Sequence, residues 1–461
     1  MILRAAGIKI IRGSISFNLL PGVPVPVPEP PIEPFVNSAR TFTQDEFSVV
    51  GSSFTILDVA NDSLDNQFML GNYVIPGEAG IFVRGYDDRW QEQWTKLITS
   101  TSAQAKNGTL VQRSVVHDSG IVFTAGNVTV SALESWAVIT AISEDGMPLF
   151  AKRNGFSSAL RSILLTDIAT LSGGDLIVVG SIMRSSTSVP STAGLVMRIT
   201  PQGVVVWSRG YGTTISSIIR KVAVDQSTDE IYTVVGINTA DALTCKYNSS
   251  GGLVWQKNFG ILPGSSSASV AKAVFYSGHL YLAIVVNHNF NNSGGANLLK
   301  ISSAGFVQWA KIINTGNNRV AGYTDLSVDP ANGILVGTGN IQTANNLVSP
   351  FVSYYDTSGI LLNIRTFNQS NILSNPAKTV TVNDFEKAYI TATTNIPVIT
   401  SLMVVNVSSL PLNELLGVLS VSAPSFTQVF TNSYTPSSAN FSQTVTALSV
   451  SFVTANGINF I

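Results

Sequence analysis

Hydrophobic and polar positions alternate with a period of two along most of this chain, in short runs broken by Gly, Ser, Asn and Asp. Alternation of that kind predicts half-buried β-strands joined by turns. It is clearest between residues 219 and 259: an innermost strand at 219–224, a turn at 225–229, a second strand at 230–236, a third at 242–247 and an outer one at 253–259. Equivalent sets of four strands are expected over 54–98, 110–154, 165–211, 268–313, 323–367 and 377–419.

A phrase recurs where each outer strand begins: Gly, three residues, a large apolar residue that is usually Trp, one residue, then Lys or Arg. Copies run from Gly203 through Trp207 to Arg209, from Gly251 through Trp255 to Lys257, from Gly305 through Trp309 to Lys311, and from Gly359 through Asn363 to Arg365. Earlier copies run from Gly146 through Phe150 to Lys152 and from Trp90 through Trp94 to Lys96. The large residue therefore stands at 94, 150, 207, 255, 309 and 363, with steps of 56, 57, 48, 54 and 54 residues. A period near fifty containing only strand-like segments reads as the blades of a β-propeller. The expected fold is all-β: a seven-bladed propeller of four-stranded antiparallel blades over residues 36–423. Its last blade is degenerate, with Leu410 and Glu414 where the Gly and Trp would stand. The C-terminal β segment, 424–461, is expected to form a strand pair of its own rather than to close the ring by pairing with 41–50.

The repeated residues have structural explanations. Trp94, Trp207, Trp255 and Trp309 would fill the wedge that widens outward between twisted neighbouring sheets. The Gly before most of them permits a positive φ in the turn. Asp225, Asp329 and Asp384 follow innermost strands, where a carboxylate caps its own turn; a cation site is the alternative.

The first 35 residues differ from the rest. Ile8, Ile10, Ile11, Phe17 and Leu19 give the segment 1–20 an apolar character suited to anchoring on a partner. Between residues 21 and 34 lie seven of the 19 prolines. Proline at that density fixes φ and removes donors, so 21–35 is expected to be a polyproline stalk of roughly 40 Å, at about 3.1 Å per residue.

Composition narrows the class. Only 11% of residues are charged, against about 25% in ordinary soluble domains, so Ser, Thr, Asn and Gly must cover the surface. The 26 basic and 27 acidic residues leave a net charge of -1, and no basic field to draw nucleic acid. No apolar run is long enough to span a membrane, and Lys9 and Arg12 interrupt the only candidate leader. The lone Cys245 excludes an internal disulfide and reads as a buried strand thiol. The three histidines, His117, His279 and His288, show no metal-ligand spacing. No metal, cofactor or catalytic residue is expected.

The stretch from Lys246 to Gly260, that from Tyr355 to Asn363, and the pair Lys221 to Asp225 with Ile231 to Gly236 resemble the SBBP-type bacterial β-propeller repeat. The likeness covers about residues 90–370 and implies a propeller used for binding or surface structure, with no catalytic residue. The proline stalk and Ser/Thr/Asn-rich surface are similar in style to tailed-bacteriophage virion proteins.

Other propeller families leave their marks elsewhere. A sialidase Asp-box needs Asp two residues before the Gly, where this chain has Glu144, Pro201, Ser249, Ser303 and Thr357. The adjacent cysteine pair of many quinone-dependent dehydrogenases is impossible with one Cys, and WD40 and kelch signatures are absent. Connections from second to third strand and from blade to blade are long and polar, so binding is expected on the face they share. Asn287, His288, Asn289, Phe290 and Asn291 in one such loop are the candidate contacts. The expectation is a non-catalytic virion structural or adhesion protein, held through residues 1–35 by other virion or surface proteins or by its own copies. A host-surface glycan or protein would be its target. The alternatives are a secreted or cell-surface location, and a carbohydrate-active or quinone-dependent enzyme.

Overall fold

The computed structural model describes the strands between Ser38 and Phe460 and the tight turns that join them. Residues 1–37, the long connections at 43–52, 101–108, 155–159, 185–191, 213–216, 238–240, 261–264, 289–294, 315–320, 343–347, 370–376 and 394–399, and some shorter stretches lie outside the described residues. The chain divides into Met1–Val36 and Asn37–Ile461; the described strands all belong to the second unit.

Six repeats carry the recurring phrase, and each is an antiparallel meander of four strands. Repeat four comprises Ser217–Asp225, Glu230–Ile237, Asp241–Tyr247 and Leu253–Gly260. Repeats one, two, three, five and six occupy 53–100, 109–154, 160–212, 265–314 and 321–369. The first strand of every repeat packs on the first strand of the next, and Ala377–Val382 against Ser53–Asn61 completes the circle. Between neighbouring sheets lie wedges of apolar side chains instead of a single central core. One joins Leu171, Val179 and Tyr211 to Val222, Leu243 and Tyr247; the next joins Tyr232 and Phe259 to Leu282 and Leu299.

Every first strand is bulged, with register shifts between Ile56 and Asp58, Val111 and Arg113, Leu165 and Asp167, Ile219 and Lys221, Val270 and Lys272, Tyr323 and Asp325, and Ala377 and Thr379. A bulge adds local twist, which helps each innermost strand splay from its neighbours in a ring.

The seven-bladed expectation is corrected: counted as hydrogen-bonded sheets, the blades number six. Repeats two and three are joined in one ten-stranded sheet by a parallel bridge between Ser162 and Ser135. The buried Asn127 amide adds to the joint. Its Nδ2 donates to the Leu165 carbonyl at 2.9 Å, and its Oδ1 accepts from the Leu165 N–H at 2.7 Å. Two blades that look independent in sequence are thus tied through backbone groups.

The last sheet is also built differently from expectation. Lys387–Thr393 and Thr400–Asn406 follow Ala377–Val382, but the outer position is taken by Ser38–Phe42, from the other end of the chain. Leu410 lies outside the described residues and Glu414 does not supply that strand; Asn413–Leu416 and Leu419–Ser422 form a hairpin on the outer edge of repeat six.

Among the described residues beyond that hairpin there is no separate strand pair. The chain travels back around the rim, adding one short strand to each repeat in reverse order. Phe430–Ser433 pairs with repeat five, Ser438–Asn440 with four and Thr444–Ala447 with three. Phe452–Thr454 then pairs with two and Ile458–Phe460 with one. The physical reason is the edge: each outer strand presents unpaired N–H and C=O groups that a passing strand can satisfy.

Candidate functional site

The connections between first and second strands, and between third and fourth, emerge on one face of the ring and are tight. In the turn from Asn248 to Gly252, the Asn248 carbonyl accepts the Gly251 N–H at 2.9 Å and its side-chain Oδ1 accepts the Gly252 N–H at 2.7 Å. Gly251 has φ of 78°, a left-handed conformation that only glycine adopts without cost.

In repeats four, five and six the turn between third and fourth strands receives side chains of the preceding repeat. The indole Nε1–H of Trp207 donates to the Ser249 carbonyl at 3.0 Å, Trp255 to that of Ser303 at 3.1 Å and Trp309 to that of Thr357 at 3.1 Å. A cation from the neighbouring third strand reaches the same oxygen: Arg198 Nη1 to Ser249 at 3.0 Å, Lys246 Nζ to Ser303 at 3.2 Å and Lys300 Nζ to Thr357 at 2.9 Å. Strand register places these cations directly opposite the Trp residues. Below the two lysines lies an aromatic floor, with Lys246 Nζ 5.5 Å from the Tyr232 ring centroid and Lys300 Nζ 5.7 Å from that of Tyr281. Tryptophan, cation, ring and carbonyl thus form a repeated lock between blades, in keeping with a packing role for the Trp residues.

Repeat one keeps the lock but lacks its cation. Trp94 donates to the Glu144 carbonyl at 2.6 Å, and Phe68 supplies the aromatic floor, its ring centroid 6.1 Å from that of Trp94. The residue opposite Trp94 and beside Phe68 is Gly85. A pocket of about 440 Å³ opens there, lined by Phe68, Gly85, Trp94, Asn66, Gln93 and the carboxylate residues Asp87, Glu144 and Asp145, among others. Among the described residues no lysine or arginine lines it. The indole has partly moved into the vacated space, since a Cβ at Gly85 would lie 2.5 Å from Trp94. Glu144 and Asp145 are exposed at the mouth. This pocket is the candidate site. Aligning the repeats places Gly85 at the position of Arg198, Lys246 and Lys300 in repeats three to five, a position held by Ala141 in repeat two and Tyr354 in repeat six; the glycine is the one that leaves no side chain beside a Trp.

The sequence-derived site residues fall elsewhere. Asn287 and His288 end the second strand of repeat five, opposite Ser267 and Ser265. Asn289, Phe290 and Asn291 lie outside the described residues, as do Ile8, Ile10, Ile11, Phe17, Leu19, His117 and Asp384.

The other carboxylates singled out in the sequence are turn caps. Asp225 accepts from the Ser227 N–H at 3.0 Å and the Thr228 hydroxyl at 2.8 Å, and Asp329 accepts from the Ala331 N–H at 3.0 Å. Burial acts to raise the Asp225 pKa, but bonds from Ser227 and Thr228 and the charge of Lys246 outweigh it and hold the carboxyl below its usual range. His279 begins its strand with Nδ1 2.8 Å from the Ser277 carbonyl oxygen. Cys245 is fully buried, and burial pushes its thiol up to about 12.

Nearer the axis, the innermost strands place charges of both signs just past their bulges. Asp167 accepts from the Val222 N–H at 3.0 Å, and Asp325 lies 3.8 Å from Lys272 Nζ. Among the described residues no cluster of three or more His, Cys, Asp or Glu side chains could hold a metal.

No family model matches the chain, and no curated protein matches it. Solved structures resemble it in fold. A protein of unknown function from Bacteroides caccae is 15% identical with a TM-score of 0.34, over 57% of this chain and 82% of that one. The subtype N10 neuraminidase-like protein of A/little yellow-shouldered bat/Guatemala/060/2010 is 10% identical with a TM-score of 0.39, over 78% and 98%. The polysaccharide lyase Uly1 is 10% identical with a TM-score of 0.37, over 67% and 91%. By its own sheets and strand pairing the chain is an all-β propeller of repeated antiparallel blades.

Proposed function

We propose that this propeller is a non-catalytic structural or adhesion component of a virion, packed among other particle proteins by its rim. The observation that carries the reading is a band of exposed apolar side chains. Met147 and Leu149, Val204 and Val206, Val254, Phe306, and Ile360 and Leu362 recur one and three residues after the turn glycine, alternating with the inward Trp positions. The C-terminal strands leave this band bare. They pair with the outer strands only from Lys152, Arg209, Lys257, Lys311 and Thr366 onward, past the large residue of each phrase.

Apolar patches recurring around a molecule and adjoining open strand edges are suited to protein–protein packing. The low charge and the proline-rich segment 21–35 fit an extracellular particle, with residues 1–35 as the attachment and the long-loop face toward a host glycan or protein. Val204→Ser, Val254→Ser and Ile360→Ser combined should leave melting unchanged yet reduce incorporation into particles, and so should deletion of residues 1–35. Normal incorporation of both variants, or absence of the wild-type protein from purified particles, would overturn the reading.

A further inference from the structure

We propose that the pocket between repeats one and two binds an alkylammonium group brought by a ligand, in the place where repeats four and five hold a lysine of their own. The inference is independent of where the protein resides.

Three features of the lysine site persist in repeat one. Phe68 stands opposite Gly85, as Tyr232 stands opposite Lys246 and Tyr281 opposite Lys300. The Trp94 indole occupies the wall, and the Glu144 carbonyl is the counterpart of Ser303 and Thr357. What is missing is the cation, together with its own counter-ion: Glu230, which pairs with Lys246 at 2.7 Å, has Asn66 as its counterpart.

Negative charge has instead moved to the mouth. The turn residues ahead of the glycine are Ser249 and Ser250, Ser303 and Ala304, or Thr357 and Ser358 in later repeats, but Glu144 and Asp145 here. With Asp87 they give the pocket three carboxylate side chains, and the described lining adds no positive charge. An apolar floor of Phe68 and Trp94 suits the methylene stem of a primary amine, while the carbonyl and carboxylates suit its –NH₃⁺ head. A neutral or anionic ligand would gain nothing from that rim.

The probe is butylammonium chloride, with 1-butanol as its neutral counterpart and N-acetyl-lysine N-methylamide as a model of a protein side chain. The readout is the indole N–H resonance of Trp94, identified by its loss in Trp94→Phe. Butylammonium should shift that resonance saturably in low salt and butanol should not. Replacing the exposed pair, Glu144→Gln with Asp145→Asn, should weaken binding roughly tenfold. Gly85→Lys supplies the cation internally and should abolish binding; if Trp94 cannot move aside and that variant misfolds, the carboxylate pair decides.

Binding of the lysine amide at least as tight as butylammonium assigns the source to a protein partner. Binding of butylammonium alone assigns it to free amines. Equal shifts with butanol, no shift with either amine, or unchanged affinity in the carboxylate variant would overturn the proposal.

Discussion

The side-chain amide of Asn127 and the backbone of Leu165 face each other across two repeats, joined by hydrogen bonds of 2.9 and 2.7 Å. Asn127 opens an Asn-Val-Thr sequence of the kind that accepts glycans, yet here it is buried and occupied at both amide atoms. Asn127→Asp replaces the donor by a second acceptor aimed at a carbonyl. Leaving a buried group unsatisfied costs about 1–3 kcal/mol, more for a charge, so denaturant unfolding should show at least that loss. A midpoint unchanged from wild type would refute the link.

The locks between blades predict a graded series. Trp255→Phe retains a ring but loses the bond to Ser303, for an expected cost of about 1 kcal/mol. Trp255→Ala also empties the wedge beside Tyr232, and should approach the ~3 kcal/mol typical of aromatic truncation. Equal midpoints for the two variants would show that the ring contributes nothing.

Acid should loosen the tight-turn face first. Burial would raise the Asp356 pKa, but hydrogen bonds from Ser358 and from the turn amides of Ile360, Ser358 and Gly359 outweigh it and hold the carboxyl below its usual range, as at Asp225. A depressed folded-state pKa contributes stability above the unfolded value near pH 3.9, and that contribution disappears as pH falls through the folded value. Wild type should therefore lose more stability below about pH 4 than an Asp225→Asn, Asp356→Asn double variant. Parallel pH profiles would contradict this.

Cys245 should react with a thiol reagent at the rate of unfolding. Its full burial and raised pKa leave little exposed thiolate in the native state. Modification within seconds in native buffer would show that repeat four opens locally.

Much of the repeat architecture was legible from period-two alternation, and for a physical reason: neighbouring strands within a blade are also neighbours in sequence. In repeat four the expected strands at 219–224, 230–236, 242–247 and 253–259 fall within one or two residues of those observed. Sheet count and closure were not, because they depend on contacts between distant segments. Ser38–Phe42 reaches Thr400–Asn406, and Phe430–Ser433 reaches Val307–Asn314, through runs too short to show a period. The pocket was hidden differently. Gly85 in isolation is an unremarkable strand glycine; its meaning comes from the lysines aligned with it.

The C-terminal arm has a mechanical consequence. It follows the repeats in the sequence, so the repeats emerge before the strands that seal their edges. Since its final residues, Ile458–Phe460, grip repeat one while its first hairpin grips repeat six, a pull on the C-terminus loads one pairing of three or four residues at a time. Such a strap should yield as a staircase of small steps in single-molecule extension, each lengthening the tether, before the ring of four-stranded repeats bears the load.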